Sequence, residues 1–210
     1  MFKLTTLQFD SHEALLKAVR VHTHQSGVEW LAEGAYAVVY SLAQNPNEVM
    51  KVSGGDDQGY LNFLKTMDTL AISNPYLPVI HEAIHFRLTD ALRKENGMWQ
   101  HKERIVTYME KLSQPPKLIR RDYDKHGHLV RTSWPPVKTW ASWVSNYVHG
   151  DVRHIKELKL VHQELIVLLK IALEFHTAEV EKFKGYGKLD LHAGNVMCRG
   201  KQFVVTDPFA

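Results

Sequence analysis

Between Val28 and Leu112 the sequence passes through three short β-textured segments, one helical segment and two more β-textured segments, an order that few folds accommodate. VEWL, EGAY and AVVYSL, and then VMKV after the turn AQNPNE, read as three antiparallel strands with tight connections. GGDDQG breaks that run. YLNFLKTMDTLA then spaces Leu61, Leu64 and Leu70, with Phe63 and Met67, at helical intervals, and NPYLP ends the helix. VIHEAIHFRL and ERIVTYMEKL carry two further strands around a polar, Gly-containing loop, so residues 28–112 are expected to form a five-stranded antiparallel sheet with one helix. Ahead of it, Ser11 followed by HEALLKAVRVHTH predicts a capped amphipathic helix with Ala14, Leu15, Ala18 and Val19 on one face, which makes residues 1–27 a helical extension.

Residues 113–210 have a different texture. They open near the pair Pro115-Pro116 and include the basic stretch KLIRRDYDKHGHLVRTSW, expected to be a solvated β-ribbon or, functionally, a docking surface for an acidic partner. Trp140, Trp143 and Tyr147 follow at helical spacing and read as core. The run from Val152 to Phe183 is the longest helical pattern, with a stripe through Leu158, Leu165, Leu169 and Ala172, and is expected to be the spine of this region. LDLHAGNVM and QFVVTDPFA close the chain as strand-like pieces between turn residues.

Composition excludes several classes. With 44% apolar and 23% charged residues over 210 positions, the chain has enough apolar content for a folded core, which argues against disorder. The single cysteine, Cys198, excludes an internal disulfide and any multi-cysteine metal centre. A net charge of +3, from 26 Lys and Arg against 23 Asp and Glu, is too small to argue for nucleic acid or an anionic membrane as a partner. No apolar stretch approaches the roughly 18 residues of a membrane span, and MFKLTTLQFDSHE lacks the pattern of a signal peptide; the expectation is a cytoplasmic protein.

Three motifs carry chemistry. In LAEGAYAVVY the small residues Ala32, Gly34 and Ala37 line a turn that leads into a strand, so the loop suits phosphates approaching its backbone but is not the helix-opening turn of a dinucleotide fold. Lys51 occupies an alternating position in VMKV. Asp190-Leu-His-Ala-Gly-Asn195 then precedes Asp207, which follows the β-run QFVVT. An Asp and an Asn five apart on a tight loop can share one site, the Asp taking or orienting a hydroxyl proton and the Asn carbonyl binding a divalent ion. Asp207 adds the hard anionic oxygen that Mg²⁺ prefers.

In motif order and spacing, from Leu31 through Asp207, the chain resembles the protein-kinase-like superfamily, and LDLHAGNVM with VVTDPF is most similar to the early serine/threonine kinases of lytic podophages. The resemblance implies an α+β, two-lobed kinase-like fold: a five-stranded N-lobe at 28–112 and a shortened helical C-lobe at 113–210 with the basic insertion at 113–149. It implies ATP- and Mg²⁺-dependent phosphorylation of Ser/Thr hydroxyls on proteins, host proteins if the chain is phage-encoded, in a cytoplasm. Asp190 is then the catalytic base, with Lys51 and His192 in the catalytic set and Asn195 and Asp207 as Mg²⁺ ligands. Ala32, Gly34, Ala37, Val39, Lys51 and Glu110 would contact the nucleotide, Gly34 letting the loop close over ATP, Lys51 reaching the α/β-phosphates, and Met109 and Glu110 standing at the adenine hinge.

The pattern also departs from the family. The 60–70 helix has no Glu to pair with Lys51, for which Asp57 or Asp68 would have to substitute. Leu189 stands where an Arg would read activation-loop phosphorylation. His192 stands where small-molecule phosphotransferases usually carry His, which keeps an aminoglycoside-type phosphotransferase as the alternative. The sequence stops at Ala210 with no A-P-E motif, so substrate docking by the insertion, a partner completing the C-lobe, or a catalytically weak inhibitor that acts by binding are the further expectations. A rival motif, His81-Glu82-Ala83-Ile84-His85, matches H-E-x-x-H, but Pro78 and the alternating flank IHFRL place it on a strand, where the two His are not adjacent zinc ligands.

Overall fold

The computed structural model describes residues 2–54, 57–69, 74–89, 94–95, 98–99, 103–115, 137–149, 170, 189–200 and 202–209. These divide into two compact units, one of residues 1–73 and 78–111 and one of residues 74–77 and 112–209. The basic stretch 117–134 and the expected helix Val152–Phe183 lie outside the described residues. Among the described residues no helix is long and apolar enough to cross a membrane.

The first unit runs β1 (Leu4–Phe9), α1 (His12–Thr23), β2 (Val28–Glu33), β3 (Ala37–Leu42), β4 (Glu48–Gly54), α2 (Gln58–Thr69), β5 (Ile80–Leu88), β6 (Lys94–Glu95), β7 (Met98–Trp99) and β8 (Arg104–Glu110). Its main sheet has the order β1-β5-β8-β4-β3-β2. The expected five strands are all present and antiparallel, but the sheet has six and is mixed. β1 joins the edge by pairing parallel with β5, from Leu4 opposite Ala83 to Phe9 opposite Leu88. LTTLQF does not announce a strand, because Leu4 and Leu7 are three apart and spoil the alternation, and most of the strand is exposed at the sheet edge. β6 and β7 form only a two-residue ladder inside the loop between β5 and β8.

α1 begins as expected. Ser11 accepts the Ala14 N–H on its side-chain oxygen at 3.2 Å, satisfying one of the donors a helix start leaves open. The helix is not an appendage: Leu15 and Val19 are buried with Met50, Ile84, Phe86 and Val106 in one cluster, and Leu16, Ala18 and Phe9 pack against it. Ala14 points to solvent instead. Residues 1–27 therefore supply an edge strand and one layer of the core.

Register explains the two faces. Directly opposed residues of antiparallel strands share a face, so Val52, Val106 and Ile84 line the α1 side. Lys51, Thr107 and Ala83 line the other. α2 covers that second face, with Tyr60, Leu61, Phe63, Leu64 and Met67 buried. Asp57 starts α2 as its cap, its carboxylate accepting the Tyr60 N–H at 3.2 Å.

On the α1 side, His22 Nδ1 lies 2.9 Å from Tyr108 Oη, and its ring meets Phe86 edge-on at 5.6 Å. Burial holds the imidazole below its ordinary pKa, with Glu82 pulling the other way; burial and the carboxylates of Glu82 and Glu48 hold the Tyr108 phenol above its own. The unfolded chain takes up a proton at His22 near pH ~6.5 and the folded chain only below that. The stability contributed by neutral His22 is thus complete above about pH 6.5 and is lost as pH falls through the folded value. Urea midpoints should drop on acidification, and the drop should be smaller in His22→Asn.

The second unit contains α3 (Val137–Val148), a 3₁₀ turn at Ala193–Asn195, and the hairpin β9 (Val196–Arg199) and β10 (Gln202–Val205). Gly200 turns the hairpin with φ of 59°, a left-handed value suited to glycine. Trp140 is core, as its spacing predicts, and its ring stands 5.1 Å from that of Phe203; Ala141, Val144 and Val148 are buried on the same helix. Segment 74–77 belongs to this unit because the hairpin holds its backbone. Arg199 donates to the carbonyls of Pro75 and Leu77 at 2.8 and 3.0 Å, and Val205 N–H donates to Tyr76 at 2.8 Å.

Candidate functional site

In the first unit, the β2–β3 hairpin carries the small-residue turn. Gly34 N–H donates to Ala37 O at 2.8 Å, and the chain leaves the turn into a strand, as the motif requires. A methyl group at Gly34 would meet only the Ala37 carbonyl oxygen, at 3.8 Å, so the chain's own packing does not demand glycine there. Strand pairing then sets Ala32 opposite Val39, Val39 opposite Lys51 and Lys51 opposite Thr107. Four strands thereby place Ala32, Val39, Lys51 and Thr107 in one row on one face, and Ala37, two residues from Val39, shares that face.

Lys51 stands with its Nζ 3.4 Å from the centroid of the Tyr60 ring, within the reach of a cation–π contact. Tyr60 lies on the first turn of α2, and no sequence signal marks it, because an aromatic residue there reads as core. Nor does any sequence signal mark Thr107. Its hydroxyl and that of Ser53 are buried without a hydrogen-bond partner among the described residues, on the same face as Lys51. Glu110 falls on the opposite face: its N–H donates to Val79 O at 2.9 Å, and its carboxylate accepts the Val79 N–H at 2.8 Å. The sheet groups Ala32, Ala37, Val39 and Lys51, and leaves the Glu110 side chain outside that row.

The second unit holds the other candidates. Asp190 N–H donates to Pro208 O at 2.7 Å, and Leu189 bridges Phe209, so the loop is laced to the segment that carries Asp207. Thr206 fastens the far end, donating through its N–H at 2.9 Å and its hydroxyl at 3.2 Å to Asn195 O. Neither contact is readable from the motif. Asn195 Nδ2 donates to Asp190 O at 2.8 Å and reaches Asp190 Oδ2 at 3.4 Å. His192 Nε2 is 3.6 Å from the same Oδ2. Among the described residues both side-chain approaches fall on Oδ2, so Oδ1 of this half-buried carboxylate faces no side-chain partner.

The donor set suits Mg²⁺. With Nδ2 of Asn195 committed to Asp190, its carbonyl Oδ1 is the atom available to a cation, and Asp207 offers a carboxylate whose Oδ1 is shielded from solvent. Two hard oxygens are what a protein contributes when substrate phosphates and water complete the shell. Among the described residues no group of three or more His, Cys, Asp or Glu side chains could hold a metal by itself. H-E-x-x-H is a strand, as expected: His81 and His85 are about 13 Å apart along β5, and His85 pairs instead with Glu103 at 2.9 Å.

No protein-family model matches this sequence, and no curated protein matches it. Solved structures similar to it include the following three. The streptomycin–ATP ternary complex of APH(2'')-IIa is 13% identical with a TM-score of 0.33, covering 95% of this chain and 71% of that one. The gentamicin complex of APH(2'')-IIa is 14% identical with a TM-score of 0.35, over 94% and 71%. The ADP-bound aminoglycoside phosphotransferase APH(2'')-Ib is 14% identical with a TM-score of 0.32, over 92% and 69%. These likenesses are remote, and the functional reading stands on the residues of the two units.

Proposed function

We propose that this chain is an ATP- and Mg²⁺-dependent phosphotransferase that moves the γ-phosphoryl group to a hydroxyl. The observation that carries the reading is the Asp190 carboxylate, approached on Oδ2 by Asn195 and His192 and held by the Pro208 carbonyl at its backbone. Oδ1 accepts the acceptor hydroxyl's proton as its oxygen bonds to the γ-phosphorus and the bond to the β-phosphate oxygen breaks, releasing ADP. Mg²⁺, when bound through Asn195 Oδ1 and Asp207, neutralises phosphate charge. Lys51 binds the α/β-phosphates, its ammonium steadied on the Tyr60 ring, and the row Ala32, Ala37 and Val39 keeps that face low and apolar for the nucleotide.

The acceptors are Ser/Thr hydroxyls of proteins, the reading to which the D-L-H-A-G-N and T-D-P motifs lead, with host proteins as targets if the chain is phage-encoded. A second reading, a small-molecule hydroxyl, is favoured by His192 lying beside Asp190. Label transfer from γ-labelled ATP with Mg²⁺ tests both, offered in parallel a bacterial lysate and an aminoglycoside panel. Labelled protein bands that vanish in Lys51→Met are expected. Label on the small molecules alone would establish the second reading, and MgATP binding without transfer to either would leave a nucleotide-binding inhibitor.

A further inference from the structure

The 3₁₀ turn contains a contact that only glycine permits. A Cβ built on Gly194 would stand 2.7 Å from His192 Cε1 and 3.1 Å from Nδ1. The imidazole occupies the space a side chain would fill, and its Nδ1 accepts the Gly194 N–H at 3.0 Å, capping the turn. A nitrogen that accepts has a free lone pair, so the proton of the neutral ring is on Nε2. That atom is the one facing Asp190 Oδ2, 3.6 Å away.

We infer that Gly194 is a positioning residue: its missing side chain lets the His192 ring lie on the turn, where the Gly194 N–H fixes the Nε2–H form and aims it at Asp190 Oδ2. The inference deepens the phosphotransferase reading and rests on it for its kinetic consequence. Attraction from His192 and the Asn195 amide holds one carboxylate oxygen, which turns Oδ1 toward the acceptor hydroxyl. Asn195 alone reaches Oδ2 at 3.4 Å, a long contact that leaves the carboxylate freer to rotate. A purely structural cap would need only the Nδ1 contact and would be indifferent to where Nε2 points.

Gly194→Ala removes the ring from this place, because the atoms in its way are the end of a side chain that can swing aside, so the turn survives while the ring leaves. In the full-length, ¹⁵N-labelled protein the Gly194 amide should show a through-hydrogen-bond nitrogen–nitrogen coupling to His192 Nδ1, lost in Gly194→Ala with the remaining amide spectrum retained. The kcat for transfer should fall on the order of 10- to 100-fold in Gly194→Ala with KM for ATP little changed. His192→Gln should fall comparably, and the double variant no further, since both changes remove one interaction. Additive losses, an unchanged kcat once the coupling is gone, or no coupling in the wild-type protein would each overturn the inference. A wild-type protein that shows the coupling but transfers no phosphoryl group would instead sink the phosphotransferase reading on which the kinetic role depends.

Discussion

Asp190→Asn is expected to lower the rate of phosphoryl transfer by about 10³-fold while MgATP binding and the melting temperature stay close to wild type. The asparagine is nearly isosteric, and the contacts through the Asp190 backbone, with Pro208 and Asn195, involve no side-chain atom of Asp190. What is lost is the charge that orients the acceptor hydroxyl and takes its proton. Single-turnover measurement with preformed MgATP complex isolates that step. A variant that keeps full transfer would remove Asp190 from the mechanism, and one that loses nucleotide binding would mean its charge acts mainly on the bound ion.

The second large effect is on stability. Leu15 is fully buried among Met50, Ile84, Phe86 and Val106, so Leu15→Ala should cost about 3 kcal/mol through lost apolar burial and the cavity left behind. For a chain of this size that corresponds to a fall in Tm of roughly 6–12 °C. An N-terminal extension lying loosely on the sheet would shift by a degree or two. Calorimetry with a Val21→Ala control, on the exposed face of the same helix, distinguishes the two outcomes.

How far the sequence could be read depended on whether structure was local. β2, β3 and β4 are short, alternating and joined by tight turns, and α2 repeats leucines at helical spacing, so neighbouring residues declare them. β1 is different: its partner Ala83 lies far along the chain from Leu4, and its own leucines do not alternate. The loop from Asp190 to Asn195 is legible because its residue types are chemically unusual together. The support of that loop is not, because the Thr206 hydroxyl and the Pro208 carbonyl become partners only once β10 folds back. Lys51 shows the limit most clearly. The sequence offers Asp57 and Asp68 as carboxylate partners and gives no sign of the Tyr60 ring that stands against the ammonium, because that contact depends on how α2 rolls across the sheet.

The parallel pairing of β1 with β5 imposes an order of events on the ribosome. The last register pair joins Phe9 to Leu88, so β1 leaves the ribosome and waits for its partner strand. At about 5–20 residues per second the intervening chain takes roughly 4–16 seconds to synthesise. Throughout that interval α1 lacks the full set of Ile84, Phe86 and Val106 against which Leu15 and Val19 are buried. A nascent chain with an unclosed edge and an exposed apolar helix is a natural client for chaperones, and slowing translation between Phe9 and Leu88 would lengthen that exposure rather than aid folding.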